Sequence, residues 1–163
     1  MQLQTLRDIY IHELRDLYSA ENCLIDAMPD IARKVSTPGL KRALLEHLEQ
    51  THTHRNRLDR IFEDLNEKPQ GEDCEAMRGL VSEARQWIGA EGSSVARDVG
   101  LITAGNRIEH YEMAGYGAAR THAELLGLDE HQKLLQQSLD EEGEADKKLM
   151  DLASECNPRV ARE

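Results

Sequence analysis

The sequence predicts an all-α fold, a four-helix bundle with a short extra helix in its long middle connection. Three observations predict it. Ala, Leu, Glu and Arg dominate while aromatics make up only 4% of the chain, and straight-chain residues lose little rotamer freedom in helices. Apolar residues recur at three- and four-residue steps over four long stretches, with no strand-like alternation of useful length. Turn residues are few and sharply placed. The 163 residues are enough for one domain with a proper core, so 1–163 is read as a single domain whose tail, from 157 onward, is expected to fray.

Helix A is expected over 4–35. Thr37-Pro38-Gly39 then starts helix B, with Thr37 as N-cap and Pro38 at the first helical position. Helix B runs over 38–66, and the stretch from Asn66 to Gly71 ends it. A short helix over 73–89 carries Met77, Leu80, Val81, Ala84, Trp87 and Ile88, which suits a helix lying on a flank or end of the bundle. Glu91-Gly92-Ser93-Ser94 breaks the chain and supplies a serine cap to helix C, 94–126. Gly127 reads as a left-handed C-cap, and Asp129 with Gln132 as a capping box for helix D, 129–154. Asn157-Pro158 is expected to close that helix.

Connection lengths constrain the topology. The A–B and C–D turns are very short, so each pair should form an antiparallel hairpin. About 27 residues separate B from C on these boundaries. Two helical hairpins joined by a long crossover make a ferritin-like bundle; simple up-and-down order with a decorated loop is the alternative at this level.

Charge and cysteine usage exclude several function classes. A net charge of −11 argues against nucleic-acid binding, which needs a basic surface to neutralise phosphates. The opening MQLQTLRDIYIHELRDLYSAE is charged throughout, so it reads as neither signal peptide nor membrane span. Cys23, Cys74 and Cys156 lie far apart with no CxxC. That pattern fits a reducing cytoplasm rather than a disulfide framework or a thiolate zinc site.

The acids carry the chemistry. In helix A, Glu21 falls inside the apolar stripe Leu14, Leu17, Tyr18, Leu24, Ile25, Met28. In helix B, Leu45 and Leu48 are read on the same face as His52, with Glu49 one turn before it. In helix C, Ile102, Gly105, Glu109, Glu112 and Tyr116 succeed one another at helical spacing. In helix D, Glu142 and Asp146 interrupt the face of Leu135, Leu139, Ala145 and Leu149. A lone buried carboxylate costs several kcal/mol unless protonated or paired. No Lys or Arg sits at matching depth, Arg55 near one end excepted, so a pair of divalent cations is the natural partner. Carboxylates with an imidazole suit iron or manganese. His47, His54, His110, His12, His122 and His131 are read as surface residues, leaving His52 as the ligand histidine. Tyr18, Tyr111 and Tyr116 are read first as packing residues, with Tyr18 near enough to Glu21 to bond it. The small residues Ala114, Gly115, Gly117, Ala118 and Ala119 fit either close helix packing or a dimer contact.

On the segments IHELRDLYSAE, LLEHLEQTH, IEHYEMAGYG and SLDEEGEADKKL the chain resembles the YciE/YciF-type ferritin-like stress proteins, over essentially its whole length. The resemblance implies a four-helix bundle with a di-metal carboxylate site, a homodimer and a link to bacterial stress response. It supplies a fold and a site more than a reaction. The ferritin-like pattern sets one Glu on each of two helices and an ExxH on each of the others. Carried over, it implies Glu21, the pair Glu49 and His52, Glu109, and a bridging Glu142, with Glu112 as an extra carboxylate. On helix D the second histidine position is Ala145, and Asp146 is the substitute. The function expected is a di-iron oxidoreductase, with manganese as the other metal, reacting Fe(II) with peroxide or oxygen. The alternative is a non-enzymatic, metal-stabilised helical dimer that binds metal or a partner.

Overall fold

The computed structural model describes residues 3–69 and 73–161. Gln70 and Gly71, expected to finish the second turn region, lie outside the described residues, as do positions 162 and 163 of the tail. Five helices follow in order: α1 Leu6–Lys34, α2 Pro38–Leu65, α3 Glu75–Gly89, α4 Ser94–Leu125 and α5 Asp129–Val160. There is no strand among the described residues, and no helix is long and apolar enough to cross a membrane.

In each of α1, α2 and α5 a line of buried positions advances in steps of three and four residues. They are Tyr10, Leu14, Leu17, Glu21, Leu24, Met28 and Ile31 in α1, and Leu40, Ala43, His47, Thr51, His54, Leu58 and Ile61 in α2. In α5 they are His131, Leu135, Ser138, Glu142, Ala145 and Leu149. This is the seam of antiparallel helices packed knobs into holes.

Hydrogen bonds at the ends establish the topology. Glu67, just past α2, accepts from Arg7 at 3.4 Å and Arg15 at 3.2 Å near the start of α1. Asp98, near the start of α4, accepts from the Ser36 and Thr37 backbone N–H groups at 3.2 and 2.6 Å, where α1 turns into α2. Thus α2 and α4 run the same way, and the crossover must travel the length of the bundle. α3 provides that crossover and packs on α1 and α4. Of the two orders open at the sequence level, this is the ferritin-like one. α3 is held by Trp87, whose ring lies where a Cβ on Gly100 would sit, 2.4 Å from it. Gly115 likewise lets Leu17 pack against α4.

Three end signals act differently from expectation. Thr37 occupies the N-cap of α2 but makes no side-chain cap bond; the buried Asp98 carboxylate stands in from another helix. Leu128 is the N-cap of α5 with no side-chain bond, so Asp129 sits at the first helical position rather than capping. α5 also runs through Pro158 to Val160. A proline in the last turn forfeits one hydrogen bond near solvent, and buried Cys156 keeps that turn on the core. Gly127 does adopt the left-handed conformation, φ 71°.

The core is divided. One apolar block gathers Leu24, Met28, Ile31, Leu40, Ile102 and Leu149. The other holds Tyr10, Leu14, Leu17, Phe62, Tyr116 and Leu135. Between them lie the buried Glu21, His47, His54, Glu109, Glu112 and Glu142.

Candidate metal centre

Each long helix sends one or two polar side chains inward to this centre. α1 supplies Glu21, α2 His47 and His54, α4 Glu109 and Glu112, and α5 Glu142; all six are buried. His47, Glu109, Glu112 and Glu142 each offer a ligand atom, all within 4.8 Å of one another, and Glu21, His54 and Glu142 form a second such group. Glu142 belongs to both. Its Oε1 lies 2.8 Å from His54 Nδ1, and its Oε2 lies 3.8 Å from His47 Nε2. His47 Nε2 is also 3.5 Å from Glu109 Oε1, and His54 Nδ1 is 3.4 Å from Glu21 Oε1.

The surrounding groups orient this cluster. His54 Nε2 is 2.7 Å from Glu141 Oε2, so an Nε2–H donated there leaves Nδ1 with its lone pair facing Glu142 and Glu21. Arg57 grips Glu141 in bidentate fashion at 2.6 and 2.8 Å. An outward carboxylate partner of this kind fixes the tautomer and raises the basicity of a metal-binding histidine. Tyr116 donates its hydroxyl to Glu21 Oε1.

Electrostatics shows what the centre lacks. Burial, reinforced by Glu142 and the other acids, holds the carboxyls of Glu109 and Glu112 well above the ordinary range. Burial also raises Glu21 to about 7, against the pull of His54. Burial opposes a proton on His54, yet Glu142 and Glu21 outweigh it and raise the imidazole to about 10. His47 is pushed down by burial and is the neutral imidazole of the pair. Even so, Glu21 Oε2, both ring nitrogens of His47, Glu109 Oε2, both oxygens of Glu112 and Glu142 Oε2 are buried without a hydrogen bond. Orphaned polar atoms at that density are costly. Their types, carboxylate oxygen with imidazole nitrogen, fit one or two hard-to-borderline divalent cations.

Of the site residues expected from sequence, Glu21, Glu109, Glu112 and Glu142 are brought together. Glu49, His52 and Asp146 are not. Glu49 is exposed and His52 only partly buried, because the seam of α2 passes through 47, 51 and 54. Leu45, taken as the marker of that face, is 45% exposed. Asp146 is turned toward α4 and accepts from Asn106 Nδ2 at 2.9 Å, with His110 Nε2 3.4 Å away. The second histidine therefore comes from α2 and not from α5. His47 and His54, read as surface residues, are the ones inside, and so is His131, whose Nδ1 is 3.2 Å from the Tyr10 hydroxyl. The missed signal was the run Leu40, Ala43, His47, Thr51, His54, Leu58, Ile61, which anchors on the bulky residues after the histidines. Tyr116, not Tyr18, is the tyrosine bonded to Glu21; Tyr18 packs edge-on against Phe62.

A ferritin-like bundle whose helices direct carboxylates and two histidines onto one shared glutamate defines the class: helical proteins with a candidate two-cation centre. The chain belongs to the family described as a domain of unknown function, DUF892, whose model matches residues 5–161. It is 42% identical over 154 residues to the protein YciF of Escherichia coli strain K12, covering 94% of this chain and 93% of that one. The crystal structure of the E. coli stress protein YciF superposes with a TM-score of 0.89 over 93% of this chain and 96% of that one. YcfI from Rhodopseudomonas palustris, 36% identical, gives 0.87 over 91% and 94%. A protein from Xanthomonas campestris at 22% identity and TM-score 0.76, covering 97% of each chain, shares the fold.

Proposed function

We propose that the chain is a di-metal carboxylate protein of bacterial stress response, in which Glu21, His47, His54, Glu109, Glu112 and Glu142 hold two iron ions and Fe(II) is oxidised by peroxide or oxygen. The observation that carries this reading is the set of buried, unpartnered oxygens and nitrogens meeting at Glu142. The link to stress rests on the relationship to YciF, itself described as a stress protein. Manganese would suit the same donors.

A pair of Fe(II) ions would supply two electrons and a Lewis-acid clamp for an O–O bond. The protein's own residues prepare for that chemistry. Glu142 presents one oxygen to each half of the site. Glu141 and Arg57 hold the His54 ring in one orientation. The Tyr116 hydroxyl holds a proton at Glu21 Oε1, 0% exposed like Glu21 itself, and can return it as charge on that carboxylate changes. All six proposed ligands are at most 7% exposed, and that burial strengthens each of these interactions.

Protein purified without chelator is expected to carry about two metal ions per chain, since the site has two ligand groups. After anaerobic Fe(II) loading, peroxide should give an iron(III) absorbance faster than in Glu142→Ala. A metal-free preparation that also fails to take up Fe(II) would overturn the reading. Metal that raises thermal stability without any faster oxidation would replace it with the non-enzymatic one, since the orphaned acids demand a cation and do not themselves demand turnover.

A further inference from the structure

Below the metal centre the bundle is hollow. A cavity of about 260 Å³ lies among α1, α2, α4 and α5, with His47 and Glu109 in its wall. The remaining wall is mostly apolar, including Leu24, Met28, Leu101 and Leu149. It opens beside Glu46 and Lys148, which are paired to each other and each about half exposed. Ala145 lines it as well. That is the position at which the ferritin-like pattern would put a second α5 histidine, so the small side chain there leaves space where a ligand would otherwise stand.

The two kinds of wall specify an occupant. An apolar cavity of roughly 150 Å³ already suffices to bind benzene, so this one has room for a longer alkyl chain. At its inner end His47 is buried and both of its ring nitrogens lack a hydrogen-bond partner. Glu109 stands beside it, and the only cationic side chain among the described residues of the cavity wall, Lys148, lies at the mouth and is paired with Glu46. A carboxylate head group would be buried there without a counter-charge, which is costly, whereas a neutral O–H can donate to or accept from a carboxyl and an imidazole.

We propose that the cavity binds a neutral alkyl compound with a terminal O–H, an alcohol or an alkyl hydroperoxide, head group against His47 and Glu109. This deepens the proposed function by naming organic hydroperoxides as its substrate class. Reduction of such a compound breaks the O–O bond, takes two electrons from two Fe(II) ions and two protons, and releases the alcohol and water.

Binding is read on the metal-free, full-length protein by titration calorimetry with 1-octanol and with octanoate. Octanol should bind saturably at one site, and octanoate at least tenfold more weakly. Ala145→Leu and, independently, Ala43→Leu place a branched side chain in the cavity and should each weaken octanol at least tenfold; circular dichroism identifies a variant that fails to fold, and the other then decides. Absence of saturable octanol binding, or undiminished binding in the folded variants, would overturn the proposal. Octanoate binding as tightly as octanol would overturn the head-group assignment. Oxidation of loaded Fe(II) by hydrogen peroxide is followed separately, so loss of the cavity reading and loss of the redox reading give different results.

Discussion

His47 and His54 sit seven residues apart on α2 and face opposite oxygens of one carboxylate, His47 toward Glu142 Oε2 and His54 toward Oε1. Seven residues are close to two full turns, so one helix presents both imidazoles on one line, and the intervening Thr51 bonds the His47 carbonyl at 3.0 Å without entering the site. The centre is thus built on a pair of histidines from a single helix, bracketing a glutamate from its neighbour.

That arrangement separates the buried histidines from the conspicuous Glu49-Gln50-Thr51-His52. His47→Ala and His54→Ala should each lower metal affinity by at least about tenfold, since even partners outside the ligand set cost about 10–100-fold. Glu49→Gln and His52→Ala should leave it unchanged. Metal titration of the four variants checks this; loss of metal in Glu49→Gln with retention in His54→Ala would reverse the assignment.

Glu141 touches no metal ion in this reading and acts through His54. Glu141→Gln removes the carboxylate that Arg57 orients and should weaken metal binding by about 10–100-fold. The Arg57→Lys variant, which cannot make the two-point grip, should fall between wild type and Glu141→Gln. Equal affinities for all three proteins would show that the His54 orientation is fixed by packing alone.

Metal-free protein should lose stability as pH rises from about 6.5 to 10. His54 is raised to about 10 from the ordinary histidine value near 6.5; its contribution is whole below 6.5 and disappears as pH climbs through 10. Glu21, raised to about 7, and Glu109 and Glu112, raised by burial and neighbouring acids, act with the same sign, since each must ionise in a buried place. Glu142, lowered because His54 and His47 outweigh its burial, works oppositely but only on the acid side. Metal should flatten the alkaline decline. Denaturant midpoints at pH 6.5 and 9, with and without metal, measure it, and a metal-free midpoint that rises with pH would contradict the assignment.

Asp98 is a cap borrowed from across the bundle. It is 1% exposed and accepts from Ser36 N, Ser36 Oγ and Thr37 N. Asp98→Ala leaves those N–H groups unpaired and should cost about 1–3 kcal/mol in urea unfolding. Thr37→Ala, whose side chain makes no cap bond, should be close to neutral; a larger loss there than in Asp98→Ala would return the cap to Thr37.

The sequence determined the helices and their order. Their residues prefer helix locally, and the breaks at Pro38, Ser93 and Gly127 act within a few residues of themselves, so both are written in short stretches of chain. It also determined that acids interrupt the inward faces of α1, α4 and α5, where Leu17 and Leu24, Ile102 and Tyr116, and Leu135 and Leu149 frame the glutamates with unambiguous periodicity. Tertiary structure alone decided which face of α2 turns inward. There Leu45 and Leu48 compete with Leu40 and Leu58 for the core, and a shift of two positions exchanges Leu45, Glu49 and His52 for His47, Thr51 and His54 at little local cost. What resolves the contest is packing against three other helices, with Phe62 and Ile61 locked in the core far along the same seam. The same holds for Asp98 as the cap of α2, for the crossover direction of α3 and for the hollow beside Ala145: each depends on residues distant in sequence meeting in space, and no local preference encodes it.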